Sequence, residues 1–175
     1  MIDIKAIEHL PIPEIIRTLG ALPRGDVTGD LKQMAIALNL SVVPYKFDEL
    51  KEDKPLCAFI TNDEGRSCIF YRTDLAEGQQ FRLDRIAIAK ALVKYIITGS
   101  TGFLINESTY FSIREKQFIY ELLMPESKVR DVCKQLIMPT VLSLANIFSV
   151  EPTFVVERLD AMKGKLRYMV VGYDF

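Results

Sequence analysis

Residues 82–100 read RLDRIAIAKALVKYIITGS, and the fold turns on this stretch. At helical spacing, Leu83, Ile86, Ile88, Ala89, Leu92, Val93, Ile96 and Ile97 leave no continuous polar face. A helix of that kind must be covered from all sides, so residues 82–98 are predicted to form a buried central helix. Gly99 suits its stop. The cover has to come from the chain on both flanks.

On the N-terminal side, residues 13–19 and about 28–39 are predicted helices. They place Ile12, Ile15, Ile16 and Leu19, then Leu31, Met34, Ala35 and Leu38, at helical spacing. Thr28 or Asp30 can cap the second helix. Residues 22–26, LPRGD, form a turn cluster. The pattern then becomes β-branched. Residues 41–45, SVVPY, read as an edge strand, because Pro44 brings no N–H to a ladder. Residues 56–61 and 67–71, LCAFIT and SCIFY, read as a hairpin around Asn62-Asp63-Glu64-Gly65. Together these predict a small antiparallel sheet.

On the C-terminal side, residues 103–110 read as extended, and helices are predicted over about 113–123 and 126–135. A closing helix pair over 140–148 and 152–162 and a terminal strand over 166–171 complete the chain. The expected class is α+β in a single domain: an N-terminal helical segment (1–27), a core (28–139), and the helix pair with its strand (140–175).

Composition narrows the function. Twenty-two basic residues face twenty-three acidic ones, for a net charge of −1, so no global excess draws the chain to nucleic acid or anionic membrane. His9 stands alone, and a mononuclear zinc hydrolase usually draws on two or three histidines. Cys57, Cys68 and Cys133 form no C-x-x-C pair and are odd in number, which argues against a disulfide framework. No run reaches the ~18 apolar residues of a membrane span, and the first residues lack a signal-peptide pattern. A cytoplasmic protein is the expectation. Residues 140–162 have helix-turn-helix spacing, yet Glu151, Thr153, Glu157 and Asp160 dominate the second helix, with Arg158 as its lone cation. Such a face repels phosphates, so direct nucleic-acid binding is not expected.

Two segments carry more than periodicity. One is the order of LNLSVVPY (38–45), the hairpin CAFITNDEGRSCIFY (57–71) and the helix RLDRIAIAKALVKYIITGS. The other is Phe118-Ile119-Tyr120-Glu121-Leu122-Leu123-Met124-Pro125 with the later LANIFSV (144–150). From about residue 28 to 162 the chain resembles the ImmA/IrrE family of zinc-dependent peptidases, and FIYELLMP is the most specific piece. The resemblance implies a zincin-like fold.

The departure falls on the chemistry. The family's H-E-x-x-H motif sets two zinc ligands at i and i+4 on one helical face, with a Glu as general base. Here Lys90 and Lys94 take the ligand positions and Ala91 takes the base position. The family's third ligand, a Glu four residues before the Phe of its L-L-M-P helix, corresponds to Arg114. Glu115, next to it, is expected to point to a different helical face. A lysine ammonium has no lone pair for zinc, and alanine has no proton to move. The resemblance therefore implies a degenerate pseudo-peptidase with no metal and no cofactor.

If the helices keep their family positions, Lys90, Lys94 and Arg114 converge on the old metal site. They would repel one another unless solvated, paired or neutralised by an anion. Asp84, Glu107, Glu115 and Glu121 are candidate partners. Either the cleft is filled and the lysines reach to water along their stems, or it is a cationic pocket for a phosphate or carboxylate. Members of the family commonly act on helix-turn-helix repressors. The expected function is thus a non-enzymatic regulatory binding protein that holds such a regulator in a phage, mobile-element or stress circuit. The alternatives are an enzyme or receptor with a cationic site for a phosphorylated or carboxylated small molecule, and a purely structural subunit.

Overall fold

The structure is a computed structural model that describes residues 2–20, 30–46, 57–63, 65–72, 83–162, 166 and 170. Three short helices come first: α1 (Ile4–Ile7), α2 (Ile12–Thr18) and α3 (Leu31–Ala37). Asp30 caps α3 by accepting from the backbone N–H groups of Lys32 and Gln33. The predicted turn over 22–26 lies outside the described residues. The strands are β1 (Leu40–Tyr45), β2 (Ala58–Asp63), β3 (Arg66–Arg72) and β4 (Phe103–Ile105). Between β3 and β4 runs α4 (Leu83–Thr98), followed after β4 by α5 (Ile113–Leu123), α6 (Glu126–Gln135), α7 (Val141–Phe148) and α8 (Pro152–Ala161). The terminal strand expected over 166–171 falls largely outside the described residues.

The fold is α+β, and the sheet order is β1-β3-β2-β4. β2 and β3 form the predicted hairpin, with Ile60 opposite Ile69 and Asp63 opposite Arg66. Gly65 closes it at φ 82°, a conformation that costs glycine nothing and any other residue strain. β4 adds antiparallel to β2. The expected all-antiparallel sheet is corrected at β1, which pairs parallel to β3. The hairpin and β4 take both edges of β2, and β1 lies along the outer edge of β3, where chain path sets its direction. Pro44 does sit on an edge strand, where a missing N–H is harmless.

α4 lies across the sheet and packs against β2, β3, β4, α3 and α5. Ala89, Ala91, Leu92, Val93 and Ile96 are fully buried. From α5 and beyond come Phe118, Leu122, Leu123, Met124 and Phe148, also fully buried. Each large side chain removed from water contributes about 1.5–3 kcal/mol. Phe118→Ala is therefore expected to cost about 3–5 kcal/mol in urea unfolding. Tyr110→Ala, at a residue 80% exposed, should stay within about 0.5 kcal/mol.

Candidate functional site

The start of α5 builds the site. Ser112 is the N-cap, and its Oγ accepts from the Glu115 N–H at 3.3 Å. The Glu115 carboxylate reaches back to accept from the Ser112 N–H at 2.6 Å, completing a capping box. Its other oxygen, Oε1, lies 2.8 Å from Lys94 Nζ, with the Lys94 side chain 14% and the Glu115 side chain 6% exposed. Burial alone would raise the Glu115 pKa. The hydrogen bond from Lys94, those from the Ser112 backbone and side chain, and the Lys94 charge outweigh it and hold the carboxyl below its usual range.

Phe111, itself buried, lies beneath both lysines of α4. Lys94 Nζ is 4.9 Å and Lys90 Nζ 5.8 Å from its ring centroid, within cation–π reach. The structure thus brings Lys90 and Lys94 to one place. It does not bring Arg114 there. The Arg114 guanidinium donates to the backbone carbonyls of Glu8 and, at 3.3 Å, Leu10, tying the N-terminal segment to α5. Neighbouring helix positions differ by about 100° in direction, so a one-residue offset decides which side chain faces α4. Glu115, expected to point elsewhere, is the residue that faces it. Ala91 is fully buried and brings no functional group.

The FIYELLMP segment has a structural role in its own right. Phe118, Leu122, Leu123 and Met124 are core, and Pro125 is the N-cap of α6. Glu121 accepts from the Glu126 N–H at 3.3 Å and pairs with Arg158 of α8. Arg158 Nε also donates to the Met124 carbonyl at 3.0 Å, and its guanidinium lies 5.6 Å from the Tyr120 ring centroid. The cation assigned to the exposed face of α8 is in fact 4% exposed and staples α8 to the α5–α6 junction. A signal was present in the sequence, because Arg158 shares helical spacing with Phe154, Val155, Leu159 and Met162.

Beside Lys90 opens a cleft of about 250 Å³ between α4, α5, the chain after β4 and the start of α8. Ile86, Phe111, Ile119 and Phe154 form its apolar wall, and Lys90, Lys116, Glu107, Glu151 and Glu157 bring charge to it. Thr109, Thr153 and Tyr120 add hydroxyls. The Tyr120 pKa is pushed up to about 12 by burial and by the charge and hydrogen bond of Glu157, so its hydroxyl stays protonated and donates to Glu157 Oε2 at 3.4 Å. The cleft carries three carboxylates and two ammonium groups, so its charge is mixed. Among the described residues, no three His, Cys, Asp or Glu side chains are grouped to hold a metal ion. Lys94 and Ala91 do not suit a zinc ion: Lys94 offers a donor already committed to Glu115, and Ala91 offers nothing.

No family model, no curated protein and no solved structure matches this chain.

Two outcomes are expected of these contacts. Because the folded Glu115 carboxyl lies below its usual range, its contribution to stability is complete above about pH 4–5, the ordinary titration of glutamate. It is lost as pH falls through the folded value. Unfolding free energies measured from pH 7 to about pH 3 should fall less steeply in Glu115→Gln than in the wild type. Arg158→Ala leaves Glu121 without its cation and the Met124 carbonyl without that donor, and should cost about 3–5 kcal/mol by the same measurement.

Proposed function

We propose that this chain is a non-enzymatic regulatory binding protein on a degenerate, zincin-like peptidase scaffold. It holds a helix-turn-helix regulator of a phage, mobile-element or stress circuit without cutting it. The reading rests on the resemblance to the ImmA/IrrE family together with one observation. At the positions that correspond to the family's metal site, the chain carries Lys90, Ala91 and Lys94, and the Lys94 ammonium is locked to Glu115 at 2.8 Å. A positive charge from within the chain stands where the resemblance would put a metal. Arg114 stands at the position of the family's third ligand, and the neighbouring Glu115 carboxylate is committed to an internal ion pair and a helix cap.

Holding a partner requires only modest affinity. A Kd of about 1 μM corresponds to about −8 kcal/mol, within reach of a standard interface. Sequestration at that affinity regulates without chemistry.

The test is affinity capture on the purified wild-type chain, with mass spectrometry of what is retained and metal analysis of the same sample. The expected result is a helix-turn-helix regulator recovered at full length, with far less than one zinc per chain. Stoichiometric zinc with chelator-sensitive cleavage of the regulator would overturn the reading.

A further inference from the structure

Among the described residues, three ion pairs join lysine or arginine to glutamate on α4, α5, α6 and α8. Lys94 pairs with Glu115, Arg158 with Glu121 and Arg130 with Glu126. The charges of the cleft beside α4 are not among these pairs. Lys90, Lys116, Glu107, Glu151 and Glu157 all line it, and among the described residues none forms an ion pair, although Glu157 accepts from the Tyr120 hydroxyl, Glu151 accepts from the Thr153 hydroxyl, and Lys90 lies 5.8 Å from the Phe111 ring centroid. Here α4 and α5 carry the ammonium groups, while the chain after β4 and the start of α8 carry the carboxylates. The two signs stand around a gap.

From this arrangement we infer that the cleft is a binding site for a small zwitterion, a free α-amino acid with an apolar side chain. Lys90 and Lys116 meet the carboxylate by charge-assisted hydrogen bonds. Glu107, Glu151 and Glu157 meet the ammonium group. The apolar wall of Phe111 and Phe154, joined by Ile86 and Ile119, takes the side chain. Size agrees with the chemistry. The cleft of about 250 Å³ holds roughly eight water volumes, the scale of one amino acid. It is smaller than the clefts of about 300–1,000 Å³ that take drug-sized ligands. A ligand of one sign would satisfy one side and leave the other charges without partners. A zwitterion meets both sides at once, so the site favours a ligand that carries both charges.

The inference does not depend on the regulator reading, because it is measured on the purified chain with no partner present. L-leucine and L-phenylalanine are titrated by isothermal calorimetry, then two leucine analogues that each keep one charge, 3-methylbutylamine and 4-methylpentanoate. Saturable binding of at least one amino acid with a Kd below about 1 mM is expected, with both analogues at least about tenfold weaker. Lys90→Ala and Glu107→Ala should each weaken amino-acid binding about tenfold while the thermal melt shows a folded chain. Lys116→Ala, at an exposed position of α5, provides the same test at a site where folding is not at stake. The inference fails if neither amino acid binds up to about 10 mM, if a singly charged analogue binds as well as leucine, or if the folded variants bind like the wild type.

Discussion

A helix of sixteen residues with apolar side chains on nearly every face can exist in water only if other elements surround it. That constraint organises the molecule: the sheet, α3 and α5 all pack on α4. It also creates the problem that Lys94 presents, since an ammonium among apolar neighbours loses most of its hydration. Glu115 solves it with an oxygen at 2.8 Å. The same carboxylate accepts from the Ser112 N–H and so sets where α5 begins. One side chain thus couples the local start of a helix to the depth at which that helix meets its neighbour.

Two arginines, the buried Arg158 and the exposed Arg114, follow the same logic of meeting fixed acceptors. Arg158 is satisfied by Glu121 and the Met124 carbonyl, and Arg114 by the carbonyls of Glu8 and Leu10. Each joins segments far apart in sequence, and a guanidinium suits this because its several donors can serve two acceptors at once. The cleft beside α4 is the contrast, where charges of both signs stand without meeting.

Where the sequence was legible, the reason is local. The bounds of α5 and α6 match the expected 113–123 and 126–135, because Ser112 with Glu115 writes a capping box and Met124-Pro125 writes a stop. The β2–β3 hairpin was legible from its turn, and α4 from its composition. The parallel pairing of β1 was not, because side-chain alternation says which face of a strand is buried and not which neighbour or direction it takes. Arg114 and Glu115 show the same limit at one-residue scale. Spacing measured from Phe118 pointed to Arg114, while the rotation of α5 against α4 presents Glu115. Arg158 could have been read as buried from its spacing, yet only packing supplies its partners.

The sequence by itself determined most of the described helix and strand segments, though not α1, and that α4 is central. Periodicity, caps and residue chemistry act over a few positions, so one chain is enough to read them. Tertiary structure alone decided that β1 lies parallel to β3, that Glu115 meets Lys94, that Arg114 turns to the N-terminal segment, and that three carboxylates and two lysines share a cleft. Those outcomes depend on how whole elements rotate and dock, and long-range packing chooses among arrangements that local sequence leaves equal.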